Sequence, residues 1–184
     1  ILGQFSGTNA NMAYEDGYLK MTTIRTTYDD GFFIAGSLAE GEKFDLGEYG
    51  YFKAKYRIIG AASAPIQLYC FMADGSTSSG SAYANVAAWE GDMVEIIIKV
   101  AGSAIGEEAI WIKNVETGET IKTSFYGGTR ASSGKVSSIR FNLARQYDLD
   151  RTAYVEYMGF FSSYEAAIAY EGVAEERVEA AVEY

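Results

Sequence analysis

A strict alternation of apolar and polar residues in several short segments constrains the fold of this chain most strongly. In 51–59, Phe52, Ala54, Tyr56 and Ile58 alternate with Lys53, Lys55 and Arg57. Successive side chains of a strand point to opposite faces of its sheet, so this pattern predicts a strand with one buried face. The same period recurs in 66–72, 93–100 and 136–144, with Ile139, Phe141 and Leu143 expected inward in the last of these.

The segments between these strands contain turn residues and no helical pattern. Twenty Gly and a single Pro indicate many tight turns. In 116–118, Gly118 can supply the positive φ of a hairpin turn between strands at 109–114 and 119–126. The Gly- and Ser-rich segment 73–82 is expected to be a mobile loop. Further strands are predicted at 17–23, 31–35 and 154–161.

One helix is predicted, over 164–170, with Ser162 or Ser163 as its N-cap. Residues 175–182 are either a second helix or an acidic linker. The sequence therefore predicts an all-β protein, an antiparallel β-sandwich (jelly roll) with a short C-terminal helix. We expect one sandwich domain over 1–171 and an acidic tail or linker over 172–184.

The charge of the chain excludes several partners. Lys and Arg number 15 and Asp and Glu number 25, which gives a formal net charge of −10. This balance argues against nucleic acids and anionic membrane surfaces, both of which attract clustered Lys and Arg. No stretch approaches the ~20 apolar residues that span a bilayer. Since the chain starts at Ile1, we expect a piece of a larger exported protein, in contact with other domains of it.

The chain lacks the residues that most catalytic mechanisms need. The chain has no His, and its single Cys, Cys70, lies in an apolar run and reads as a buried side chain. Zinc sites and Cys–His pairs are therefore disfavoured. Glu90, Asp92 and Glu95 match E-x-D-x-x-E, which resembles the catalytic strand of retaining jelly-roll glucanases. Gly91 and Asp92 read better as a turn into the next strand, so we expect no enzyme.

Four segments together resemble a known family. They are "DGYLKM" at 16–21, "FDLGEYGYFKAKYRI" at 44–58, "GKVSSIRFNLA" at 134–144 and "AYVEYMGFFSSYEAAIAYE" at 153–171. Their order resembles the galactose-binding-like β-sandwich carbohydrate-binding modules of large exported bacterial proteins. This resemblance implies a secreted or cell-surface, extracellular location and a polysaccharide or oligosaccharide partner. It also implies a possible structural calcium ion, for which Glu15, Asp16 and Glu156 are the matching positions and Asp29–Asp30 the second option.

Sugar binding needs flat apolar faces together with planar polar groups. Gln67, Tyr69 and Phe71 lie on the outward face of one strand, and Arg140 and Asn142 on that of another. If both strands belong to one sheet, the five side chains meet.

Other aromatic residues are alternative contacts. Trp89, at a strand entry, is a further predicted contact if it is exposed, although a buried core position is the commoner outcome for it and for Trp111. Tyr28, Tyr83 and Tyr126 lie in or beside loops and are alternatives for an edge site.

These observations predict a non-catalytic carbohydrate-binding module that tethers a larger protein to a polysaccharide. A structural or adhesive spacer module of a bacterial surface protein is the main alternative. A jelly-roll glycoside hydrolase using Glu90 and Glu95 is a more remote one.

Overall fold

The computed structural model describes residues 5–8, 10–23, 32–60, 64–84, 89–144 and 151–172. Within these ranges the chain forms thirteen strands, one 3-10 turn at Glu40–Glu42 and one α-helix, α1 (Tyr164–Ala169). The strands are β1 (Phe5–Thr8), β2 (Ala10–Glu15), β3 (Tyr18–Thr23), β4 (Phe32–Ser37), β5 (Phe44–Asp45), β6 (Tyr51–Ile59), β7 (Ala64–Met72), β8 (Thr77–Ala84), β9 (Val94–Lys99), β10 (Glu108–Asn114), β11 (Thr120–Ser124), β12 (Lys135–Ala144) and β13 (Thr152–Phe161).

The strands form two sheets. Sheet A has the order β1-β4-β12-β7-β8, with β5 paired to β12, and sheet B has the order β11-β10-β9-β6-β13-β3-β2. The pairings within both sheets are antiparallel. The predicted fold class, an antiparallel β-sandwich with a short C-terminal helix, is confirmed. No helix in the described part of the chain is long and apolar enough to cross a membrane.

The hydrophobic core lies between the two sheets. Phe52 of β6 and Phe141 of β12 meet there with ring centroids 4.8 Å apart. The residues predicted to face inward are buried wherever their side chains are described, apart from a partly buried Ile58; they include Ala54, Tyr56, Leu68, Cys70, Val94, Ile96, Ile98, Val100 and Ile139. The side chain of Leu143 is outside the described set. Alternation thus predicted the inner faces correctly, because each strand buries one face against the opposite sheet.

The prediction of a loop over 73–82 is wrong, because Thr77–Ala84 forms β8 at the edge of sheet A. Its inward residues are the small Ser78, Gly80 and Ala82, and the Phe125 ring packs against Gly80. A Cβ on Gly80 would lie 2.3 Å from Cε1 of that ring. The apolar ring that covers this strand therefore comes from a distant position in the sequence. For this reason the residue pattern within 73–82 does not reveal the strand.

The two predicted local signals for a turn and a cap are confirmed. Gly118 has a φ of 76° in the turn between β10 and β11. Ser163 Oγ accepts a hydrogen bond of 3.0 Å from the backbone N of Ala166 and caps α1. Strands β1 and β2 were not predicted. Residues 175–182 lie outside the described residues.

Candidate functional site

The outer surface of β12, β7 and β8 in sheet A brings five of the six predicted contact residues together. We call this surface the open face. The strand register aligns three rows across it, read from β12 through β7 to β8: Asn142–Gln67–Ser81, Arg140–Tyr69–Ser79 and Ser138–Phe71–Thr77. Gln67, Tyr69, Phe71, Arg140 and Asn142 are thus neighbours in one sheet, as the sequence analysis required for a site.

The first row is a chain of amide and hydroxyl hydrogen bonds. Asn142 Nδ2 donates to Gln67 Oε1 at 3.0 Å, and Gln67 Nε2 donates to Ser81 Oγ at 3.2 Å. Asn142 Oδ1 has no hydrogen-bond partner among the described residues. Both amides are buried and Ser81 is half-buried, so a ligand on the open face would meet the Ser81 hydroxyl first in this row.

The other two rows carry aromatic rings. The rings of Tyr69 and Phe71 are nearly parallel, at 12° with centroids 6.2 Å apart, and Phe71 is 36% exposed. The Arg140 guanidinium carbon lies 5.1 Å from the Tyr69 ring centroid, a cation–π distance. Two aligned apolar rings beside guanidinium and hydroxyl groups form a surface that can stack on a flat ligand and hydrogen-bond to its edge.

Two exposed tyrosines extend the open face beyond the polar row. Tyr83 lies two residues past Ser81 on β8, opposite Pro65, and therefore points to the same side. Its ring stacks on that of Tyr126 with centroids 4.8 Å apart, and the two residues are 64% and 50% exposed. The row of Tyr83 and the row of Phe71 are about 20 Å apart by the rise of a strand. The edge-site alternative and the predicted sheet site are therefore parts of one surface.

The segment that carries Tyr126 is fixed along the edge of β8. Ser81 forms an antiparallel bridge with Gly127, and the backbone N of Ser79 donates to Thr129 O at 2.6 Å. At Gly128 the chains approach so closely that a Cβ would lie 2.3 Å from Ser79 O. Ser79 and Ser81 are not candidates from the sequence alone, because the Gly- and Ser-rich composition of 73–82 predicts a loop and not a strand.

The open face has little charge for such an acidic chain. Its three rows contain no carboxylate, and Arg140 is their one cation. A surface of hydroxyls, amides and rings without acidic groups suits an uncharged ligand rich in hydroxyls.

The sixth predicted contact, Trp89, lies elsewhere. It is 7% exposed and belongs to the core, where its Nε1 donates to Glu119 Oε2 at 3.1 Å. An indole with a satisfied N–H and a buried ring is a packing residue. Trp111 lies in β10 of sheet B, and Tyr28 is outside the described residues.

The three carboxylates suggested for calcium do not form one site as placed. Glu15 pairs with Lys20 at 2.7 Å and Glu156 with Lys55 at 3.0 Å, while Asp16 occupies the β2–β3 turn with a φ of 52°. In the described ranges, no group of three or more acidic, His or Cys residues converges to hold a metal ion. Asp29 and Asp30 lie outside those ranges.

The acidic motif at 90–95 is spread over three separate interactions. Glu90 Oε1 accepts from the backbone N of Gly60 at 2.8 Å, and Asp92 Oδ2 accepts from Asn114 Nδ2 at 2.7 Å. Glu95 Oε1 accepts from the Tyr157 hydroxyl at 3.0 Å. Gly91, with a φ of 84°, forms the turn expected before β9.

The single thiol of the chain lies in the core and not at the surface. Cys70 is fully buried in the core, and this burial raises the pKa of its thiol to about 12. The neutral thiol is a weak nucleophile, which agrees with the interpretation of Cys70 as a packing residue.

Comparison with known proteins gives structural likeness only. No protein-family model and no curated protein sequence matches the chain. Among solved structures, an agarase named AgWH50C superposes on 89% of this chain with a TM-score of 0.62 and 14% identity. A protein named PfGH50B covers 87% of it with a TM-score of 0.58 and 12% identity, and an exo-β-agarase covers 91% with a TM-score of 0.54 and 12% identity.

The extent of these superpositions matters as much as their quality. The chain covers only 23%, 23% and 24% of the lengths of those three proteins. It therefore has the fold of a domain-sized part of each. At such low identity, the likeness concerns the fold alone.

Proposed function

We propose that this chain is a non-catalytic carbohydrate-binding module that holds a larger secreted or cell-surface protein on a neutral polysaccharide. The observation that carries the proposal is the open face, where Tyr69, Phe71, Tyr83 and Tyr126 flank a polar row without carboxylates. The rings stack on the C–H faces of sugar rings. The Ser79 and Ser81 hydroxyls and the Arg140 guanidinium bind the sugar hydroxyls at the edge.

The shape of this surface favours the middle of a polysaccharide chain. The open face extends about 20 Å along the strands between its two aromatic ends. A long polymer can lie along β7 and β8 and contact both ends at once, whereas a short oligosaccharide contacts only one. Binding should therefore strengthen with chain length.

The fold likeness supports a carbohydrate-related role and suggests which polysaccharide to try first. Two of the similar structures are named as agarases, and this chain corresponds to about a quarter of each. A domain of that size within an enzyme on a polysaccharide fits a binding module beside a catalytic one. Agarose therefore belongs in the panel together with glucans, xylans and mannans.

The absence of catalysis is part of the proposal. A retaining glycosidase needs two carboxyl groups about 5 Å apart facing one sugar bond. Here Glu90, Asp92 and Glu95 accept hydrogen bonds from Gly60, Asn114 and Tyr157 respectively. Each carboxylate thus has a separate structural role.

Affinity electrophoresis through gels that contain agarose, β-glucan, xylan, mannan or pectin tests the proposal. We expect at least one neutral polysaccharide to retard the protein, without release of reducing sugar on incubation. Migration unchanged in every gel would contradict the binding function and favour a spacer module. Reducing sugar released by the wild-type protein and lost in Glu90→Gln would instead establish a hydrolase.

Calcium stays a prediction from the family resemblance. A lower melting temperature in EDTA, restored by added calcium, would support a bound structural ion. An unchanged melting temperature would count against it.

A further inference from the structure

A cleft on the opposite side of the sandwich has the composition of a second sugar site. It lies between α1 and the outer surface of β9, β10 and β11, and we call it the helix cleft. Its floor includes Glu95, Ile97, Trp111 and Lys113, and Tyr164 and Ile168 of α1 form one wall. Its volume of about 580 Å³ is in the range of small-ligand sites.

The floor of the helix cleft is rigid because it is built from paired strands. Trp111 lies opposite Ile97, and Lys113 lies opposite Glu95 in the β9–β10 register. Thr120 of β11 lies opposite Lys113 on the other side. The backbone positions of these residues are therefore fixed by strand pairing, and their side chains project from one rigid surface.

The wall is held in place by contacts at both ends of α1. The Tyr164 ring packs on the Trp111 indole with centroids 4.7 Å apart. After the helix, the Tyr170 carbonyl accepts hydrogen bonds from Lys53 Nζ at 2.7 Å and from the Tyr157 hydroxyl at 3.3 Å. The cleft is thus preformed, which lowers the entropic cost of binding.

The charges in the helix cleft cancel. Glu95 lies 3.5 Å from Lys53, and Lys55 pairs with Glu156 at 3.0 Å. Lys113 and Glu171, two lining residues of opposite sign, form no ion pair among the described residues. The cleft therefore offers hydrogen-bonding groups beside a half-buried indole without a net charge that would select an ion.

We propose that the helix cleft binds a short, uncharged oligosaccharide, independently of the open face. The sugar ring stacks on Trp111, and its hydroxyls bind Lys113 and Thr120. The volume of about 580 Å³ suits a short sugar and not the middle of a long polymer. The two sites lie on opposite outer faces, so occupation of one does not block the other.

Tryptophan fluorescence tests the helix cleft directly, since Trp111 lines it and Trp89 is buried in the core. In a Trp89→Phe variant, Trp111 is the only indole. Agaro-, cello-, xylo- and manno-oligosaccharides are the probes. We expect at least one to change the emission in a saturable way, and Lys113→Ala to raise its Kd about tenfold. If Trp89→Phe does not fold, the difference between wild type and Trp111→Phe reports the same indole.

A matched Tyr69→Ala variant separates this proposal from the open face. It should leave the Trp111 response unchanged even if it abolishes polysaccharide retardation in gels. Emission that no probe changes would overturn the helix cleft as a sugar site. A response lost in Tyr69→Ala but kept in Lys113→Ala would overturn it as well, because the sugar would then bind at the open face.

Discussion

The outer faces of the two sheets differ although their inner faces are built alike. On sheet A, Phe71 and Tyr83 stand exposed in a shallow polar surface. On sheet B, Lys53 occupies the equivalent outward side of β6 but is only 1% exposed, beneath the segment that ends α1. Strand periodicity assigns a side chain to a face, and what later covers that face decides whether water reaches it. This difference is the reason why we propose sheet A, and not sheet B, as the polysaccharide-binding surface.

The largest effect should come from removing the buried cation of sheet B. Lys53→Ala leaves the Glu95 carboxylate and the Tyr170 carbonyl without their ammonium partner, so we expect a loss of about 3 kcal/mol in the free energy of unfolding. Lys55→Ala is the matched control. Its ion pair with Glu156 is more exposed, so it should cost less than about 1 kcal/mol. Equal losses in urea denaturation would show that the burial of Lys53 beneath the segment that ends α1 adds nothing to the stability of sheet B.

A smaller effect is expected where sheet A is closely packed at its edge. Gly80→Ala places a methyl group against the Phe125 ring and should destabilise the fold by about 2 kcal/mol through overpacking. Gly41→Ala, which meets no heavy atom within 4 Å, is the control and should be nearly neutral. Thermal melting of both variants measures the difference. A Gly80→Ala protein as stable as wild type would mean that β8 is not held against Phe125.

The hydroxyl of Tyr157 should make sheet B sensitive to alkaline pH. Burial, and then the hydrogen bond to Glu95, raise the pKa of this phenol above its usual value. Above pH of about 10 the unfolded chain releases the proton that the folded chain retains, so stability falls as pH rises. Tyr157→Phe should lose about 1 kcal/mol at neutral pH and show a shallower alkaline decline. Unfolding free energies measured across this pH range check both effects, and Tyr49→Phe is the control at an exposed tyrosine. Parallel declines in wild type, Tyr157→Phe and Tyr49→Phe would show that the Tyr157 hydroxyl does not cause the alkaline loss of stability.

The smallest effect should appear at the far end of the open face. Tyr83→Ala should weaken binding of a long polysaccharide only a few-fold, because one exposed ring contributes about 1 kcal/mol. Short oligosaccharides bound at Tyr69 and Phe71 should be unaffected. Calorimetric titration with a chain-length series measures this. An equal loss of affinity for saccharides of every chain length would show that one polysaccharide chain does not contact both ends of the open face.

The sandwich and much of the candidate site could be predicted from the sequence, because both follow from the alternation of residues within single strands. Alternation in 66–72 and 136–144 put Tyr69 and Arg140 outward, and the antiparallel register of β7 with β12 then brought them together. The parts that it could not predict depend on distant residues. In β8, Gly80 packs against the ring of the distant Phe125, and Lys53 is buried because the chain returns at Tyr170. Trp89 shows the same limit, since Glu119 and the core around its ring decide its burial.

The central claim is that the open face binds polysaccharide through its aromatic rings. Affinity electrophoresis of wild type, Tyr69→Ala and Tyr14→Ala in the most strongly retarding gel tests this most directly, because Tyr14 is an exposed tyrosine on sheet B. The prediction is that Tyr69→Ala migrates as it does without polysaccharide, or with about tenfold weaker affinity, while Tyr14→Ala is retarded like wild type. Retardation of Tyr69→Ala equal to that of wild type, with both variants folded, would contradict the claim.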